Sequence, residues 1–197
     1  MVLLLLVSIF VHSKKEKMKR LFILLVLSWI TAAPSYAQEK IAWLTIEEAF
    51  DKIQTQPKKV LIDVYTDWCG WCKVMDKNTF AHPEVAKYVN EHFYAVQLDA
   101  ESRKEIILGG NTYKFNASSG AHDIAIALLQ GKMSYPSIVY LDEKFNMIQP
   151  LPGYMDAAAF HPIIAFIGQD FYKKEPFDSF KEKTYISLFK DILPLKK

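Results

Sequence analysis

Val60-Leu61-Ile62-Asp63-Val64-Tyr65-Thr66-Asp67-Trp68-Cys69-Gly70-Trp71-Cys72-Lys73 is the stretch that decides the fold. Its first half is a β-rich, nearly continuous apolar run, which suits a strand buried on both faces. A C-x-x-C pair follows at once, at the start of a helix carrying Val74 and Met75. The chain has 197 residues and only 2 cysteines, both in this motif. Any sulfur chemistry therefore happens here. Two thiols at this spacing can close a disulfide and open it again, the minimum apparatus for thiol–disulfide exchange.

Rival uses of the pair are weaker. A tetrahedral zinc site needs two more Cys or His ligands at suitable spacing. The histidines are His12, His82, His92, His122 and His161, and no two form an H-x3-5-H pair. A purely structural bridge closing so small a loop removes little chain entropy.

Outward from the motif, helical and strand patterns alternate. Thr45-Ile46-Glu47-Glu48 is a capping box, followed by an apolar stripe of Ile46, Ala49, Phe50 and Ile53 that ends at Pro57. Pro83 opens a helix with Val85, Ala86 and Val89 inward. Residues 93–98 and 137–141 read as further strands. Asp142-Glu143-Lys144 reads as a hairpin turn, 146–149 as a fourth strand, and Asp156 as the cap of a helix through Phe166 and Ile167. This β-α-β order, then a hairpin and a last helix, predicts an α/β domain with a central mixed sheet flanked by helices.

Towards the N-terminus, Met18-Lys19-Arg20, the apolar run 21–30 and Ser35-Tyr36-Ala37 have the three parts of a secretory signal, with cleavage near Ala37. Met18 opens a complete signal by itself, so the true start is expected there or at Met1. An uncleaved anchor is the rival reading, although each apolar run is shorter than the ~20 residues of a membrane span. Residues 1–37 hold five basic residues and one acidic, leaving 19 Lys+Arg against 21 Asp+Glu in residues 38–197. The positive net charge of the whole chain thus comes from the leader, and residues 38–197 are net negative. No basic face remains for a nucleic acid. Residues 38–197 are enough for one domain with a real core.

The same residues carry a family likeness. The stretch 60–73 resembles the strand-to-active-site segment of thioredoxin-fold proteins. It is most similar to the periplasmic C-terminal domain of the DsbD disulfide reductase and its secreted thioredoxin-like relatives. Asn78-Thr79-Phe80, the helix after Pro83 and Gly153-Tyr154-Met155-Asp156 continue the likeness, which covers about residues 40–168. It implies a thioredoxin fold and an exported, periplasmic or secreted, thiol–disulfide oxidoreductase reducing protein disulfides. No cofactor beyond the Cys69–Cys72 pair is implied. The expected partners are protein disulfides and a membrane thiol donor, and the expected state is a monomer. A disulfide oxidase or isomerase with the same site, or a non-catalytic binding module, are the alternatives.

Site roles follow from the resemblance. Cys69, at an exposed helix start, would be the attacking thiolate, favoured by unpaired N–H groups. Cys72, a turn inside, would resolve the mixed disulfide. Asp63 matches the family's buried carboxylate behind the second cysteine, and burial should raise its pKa. The lysine that pairs with this acid in thioredoxin is replaced by Gln97. Tyr135-Pro136 matches the cis-proline turn facing the disulfide, where the Tyr135 backbone would receive an extended partner segment. Trp68, Gly70 and Trp71 complete the expected substrate surface, with Trp68 as a packing wall or an ordinary core aromatic. Trp71 departs from the proline common between thioredoxin's cysteines.

Two regions exceed a minimal fold. Thirty-six residues separate Asp99 from Pro136. This insertion, about 100–134, is expected near the Cys69 face, either shaping partner choice or as neutral elaboration. Within it, 122–129 reads as a helix with His122 at its start. The extension, about 170–197, mixes aromatics with lysines and is expected to pack an amphipathic helix on the domain.

Overall fold

The computed structural model describes residues 39–194; the expected signal and cleavage site at 1–37 lie outside them. Five strands form the central sheet: β1 (Trp43–Leu44), β2 (Lys59–Tyr65), β3 (Phe93–Asp99), β8 (Ser137–Leu141) and β9 (Met147–Pro152). Their order is β1-β3-β2-β8-β9. β1 and β2 run parallel to β3, while β8 is antiparallel to both β2 and β9. The parallel half requires crossovers, supplied by α1 (Ile46–Thr55), and by α2 (Gly70–Met75) with α3 (Pro83–His92). This is a thioredoxin-type mixed sheet, as the resemblance implies.

Strand alternation divides the core in two. Val60, Ile62 and Val64 face α1, whereas Leu61 and Asp63 face the other way. On the Leu61 side pack Met75 of α2, Val85 and Val89 of α3, and Phe160 and Ile164 of α5 (Ala157–Gly168). On the Val60 side lie Ile46, Ala49 and Ile53, together with Ile124, Ala125 and Leu128 of α4 (Asp123–Leu128).

The expected capping box at Thr45 is complete. Glu48 N–H donates to Thr45 Oγ1 at 3.2 Å, and Thr45 N–H to Glu48 Oε2 at 2.8 Å. Thr45→Ala is expected to lower stability by about 1 kcal/mol, read as a shifted urea midpoint.

The 100–134 region carries more secondary structure than the single helix the pattern predicts. It forms two small hairpins, β4 (Ile106–Leu108) with β5 (Asn111–Tyr113) and β6 (Phe115–Asn116) with β7 (Ala121–His122), before α4. Gly109 and Gly110, at φ 55° and 80°, turn the first. Its helix and Ile106 belong to the core, so this is no neutral surface elaboration. His122 caps α4, its Nδ1 accepting the Ile124 N–H at 3.3 Å, while Nε2 meets the Lys104 carbonyl at 3.1 Å. The helix spans Asp123–Leu128, a residue shorter at each end than the pattern predicts.

The tail is also more broken than expected. Instead of one amphipathic helix it makes a 3-10 turn (Phe171–Lys173) and a helical stretch over 177–188 whose middle, Phe180–Tyr185, is π-wound. Asp170, at φ 61°, and Pro176 interrupt it. It still packs: Phe180 is fully buried, and the Tyr185 hydroxyl meets buried His161 Nδ1 at 3.0 Å. Burial pushes the His161 imidazole down to about 4. Lys59, buried at the start of β2, is held by Glu143 of the β8–β9 turn and by Asp170.

Candidate active site

β2 delivers Asp63 and then, through Thr66 and Asp67, the cysteine pair to one end of the sheet. Cys69 and Cys72 form a disulfide with a Cα–Cα distance of 5.3 Å. Cys69 is the N-cap of α2: its φ of −69° and ψ of 100° are extended, and its Sγ accepts the Cys72 N–H at 3.1 Å. A thiolate there would accept the same bond next to the helix start, which favours the charged sulfur. Cys69 N–H donates to the Thr66 carbonyl at 3.1 Å, fixing the turn into the helix.

One expectation needs correcting. Cys69 is not exposed in the disulfide state: both cysteines are only 4% accessible. The open surface belongs to their neighbours, Trp68 at 66% and Trp71 at 61%. Trp68 is therefore no core aromatic. Its ring meets Tyr135 edge-on at 5.9 Å, and its indole N–H donates to Glu101 Oε1 at 3.0 Å. Trp71 stacks obliquely on Tyr154 at 5.2 Å. Gly70 sits between them with open space where a Cβ would be, so crowding does not demand glycine.

The Tyr135–Pro136 peptide is cis, and Pro136 is buried. The turn is braced from both sides. Ser137 Oγ donates to the Ser134 carbonyl at 2.7 Å, and Gly153 N–H to the Pro136 carbonyl at 2.8 Å. Gly153 lies at φ 100°, a conformation that favours glycine. Thr79 Oγ1 donates to the Met155 carbonyl at 2.6 Å, tying the 153–155 loop to the segment after α2.

Asp63 is 2% accessible, and its Oδ1 has no hydrogen-bond partner among the described residues. Burial pushes its carboxyl up to about 7; the Asp76 charge adds to the rise, and the Gln97 side chain opposes it. Gln97 is Asp63's partner across β2–β3 and also reaches Asp76 Oδ1 at 3.5 Å. An uncharged amide thus stands where a lysine would have stabilised the carboxylate. Asp76 carries no motif of its own in the sequence, although it lies four residues after Cys72, on the same side of a helix. Its own pKa is raised by partial desolvation. Asp76→Asn is expected to lower the Asp63 pKa, seen as a shift of the ascending limb of the pH–rate profile to lower pH. An unmoved limb would remove Asp76 from the site. Glu101 and Tyr154 are the other site neighbours missed as such, and Glu101 had no local signal.

The chain matches the family model Thioredox_DsbH, described as a protein of unknown function, DUF255, over residues 33–151. It belongs to that family. The chain is 30% identical over 139 residues to the thiol:disulfide interchange protein DsbD of Cronobacter sakazakii, covering 67% of this chain and 21% of that protein. It is 32% identical over 74 residues to spermatogenesis-associated protein 20 of Mus musculus, covering 38% of this chain and 9% of that protein. The chain thus spans about a fifth or less of the length of these relatives. Among solved structures, a DsbH oxidoreductase superposes with TM-score 0.51 at 15% identity, covering 70% of this chain and 90% of that one. That likeness shows the fold. The chain is accordingly a member of a thioredoxin-like disulfide oxidoreductase family and carries a closed C-x-x-C disulfide.

Proposed function

We propose that this chain is an exported reductase of protein disulfides. The supporting observation is the Cys69–Cys72 bridge at a helix N-cap, with the open indoles of Trp68 and Trp71 beside it and Tyr135 of the 135–136 turn against Trp68. In the dithiol state, Cys69 thiolate attacks one sulfur of a partner disulfide. The partner's S–S bond breaks, one partner thiolate leaves, and a Cys69–partner mixed disulfide forms. Cys72, deprotonated, then attacks Cys69 Sγ and expels the second partner thiolate. Two electrons have passed to the partner, and the protein is left as the Cys69–Cys72 disulfide. A dithiol donor restores it by the reverse exchange, and a membrane thiol protein fits that role in an exported domain.

Asp63 is the group suited to take the Cys72 proton. A carboxyl with a pKa near neutrality is balanced between acid and base at working pH. Export rests on the leader pattern of residues 18–37. No helix among the described residues is long and apolar enough to cross a membrane.

The test is catalysed reduction of insulin disulfides by the full chain, paired with a redox titration of Cys69–Cys72. A potential near the reducing end of the family range of about −270 to −120 mV supports the reductase direction. A potential near the oxidising end would replace it with an oxidase, and no turnover in either direction would leave a binding module.

A further inference from the structure

The rim of the disulfide combines open indole surface with negative charge. Trp68 adjoins Cys69 in sequence, so a residue next to a partner's reacting cysteine falls within its reach; one residue spans about 3.5 Å of extended chain. The Trp68 ring is oriented by Glu101, which accepts its N–H at 3.0 Å, and by Tyr135, whose ring lies perpendicular to it at 5.9 Å. Asp67 is exposed, Asp99 is half-buried at the end of β3, and Glu101 is exposed two residues on. Asp99 and Glu101 are themselves tied, as Asp99 Oδ1 accepts the Glu101 N–H at 2.9 Å.

Nearby in sequence, Lys104 and Lys132 are exposed. Arg103 is turned onto the Phe115 ring at 4.1 Å, and Lys73 follows Cys72 on α2. Tyr135 is pushed up by burial and then by Glu101 and Asp99. Tyr65 is pushed up by burial and then by Asp99, Asp67, Asp63 and Asp76.

Resting on the proposed reductase activity, we infer that the preferred substrates are disulfides whose cysteine is flanked by lysine or arginine, the cationic side chain lying on the Trp68 ring and pairing with Glu101 and Asp67. An indole face is the best aromatic surface for a cation, and Arg can stack while its fork reaches a carboxylate. The same charges repel an acidic flank, so the rim discriminates by repulsion as well as attraction.

The test is single-turnover reduction by the dithiol form of the full chain. Three peptide disulfides differ only in the residues beside the cysteine: Arg, Gln or Glu. The Arg peptide should react roughly tenfold faster than the Glu peptide at low ionic strength, with Gln between them. The gap should shrink in 0.5 M salt, where screening acts within a few Å. It should also narrow in Glu101→Gln, and Trp68→Phe should reduce the Arg advantage over Gln. Equal rates for all three peptides, or a faster Glu peptide, would overturn the specificity while leaving the reductase reading intact. No reduction of the Gln peptide by the wild type would take both down.

Discussion

Serine at position 69 is expected to cut the turnover of a protein disulfide at least about a thousandfold. A serine hydroxyl is not ionised near neutrality, and the chain has no cysteine beyond Cys72 to take over. Cys72 lies a turn inside the helix and does not adjoin Trp68. The substitution should spare the fold, because Cys69 already acts as an N-cap and serine is a preferred N-cap residue. A circular dichroism spectrum matching the wild type, together with lost insulin reduction, is the predicted pair of results. Activity within tenfold of the wild type would place the reacting sulfur elsewhere.

The second large effect concerns Asp63 and stability. Its pKa rises from 3.8 unfolded to about 7 folded. A carboxyl with a raised folded pKa binds its proton more tightly in the native state. Between about pH 4 and pH 7 the native state therefore holds a proton that the unfolded state has released, and stability falls as pH rises. The full shift of about three units corresponds to roughly 4 kcal/mol. Asp63→Asn removes this dependence. Relative to the wild type, the variant should gain stability by that order between pH 4 and pH 8, measured by urea unfolding at each pH. Taking the difference cancels the titration of groups common to both proteins. A flat difference would mean that the Asp63 carboxyl titrates normally. The same variant should lose the ascending limb of the pH–rate profile near 7, since an amide cannot accept the Cys72 proton.

These two expectations share one origin. β2 is buried on both faces, so a carboxylate within it is shielded from bulk solvent and lies on the face covered by the helix that carries Cys72 and Met75. The apolar flanks of Asp63 made this burial legible in the sequence, and Thr45, Pro83 and Asp156 marked the starts of their helices for equally local reasons. The cis peptide at Pro136 followed from the family likeness, since X-Pro alone leaves the bond trans in most proteins.

What escaped the sequence was set by longer-range packing. The burial of Cys69, and the contacts of Trp68 with Tyr135 and of Trp71 with Tyr154, join residues far apart in the chain, which no local pattern reports. β4 to β7 have two or three residues each, too few for alternation to show. β9 runs to Pro152 through Pro150, beyond the end that the prolines suggested. It is the edge strand, where a missing N–H need cost no sheet hydrogen bond. The tail has the aromatics of an amphipathic helix, but Pro176 and the π-wound turn interrupt the regular spacing that would have made it one.

The most direct test of the central claim is capture of the mixed disulfide. Cys72→Ser leaves Cys69 able to attack and removes the thiol that resolves the adduct. Expressed as the full chain and acid-quenched, the variant is predicted to accumulate partner proteins joined through Cys69, visible as bands that collapse on reduction and assignable by mass. The Cys69→Ser, Cys72→Ser double variant should show none. Absence of any reducible adduct on Cys72→Ser, or equal adducts on the double variant, would contradict the account.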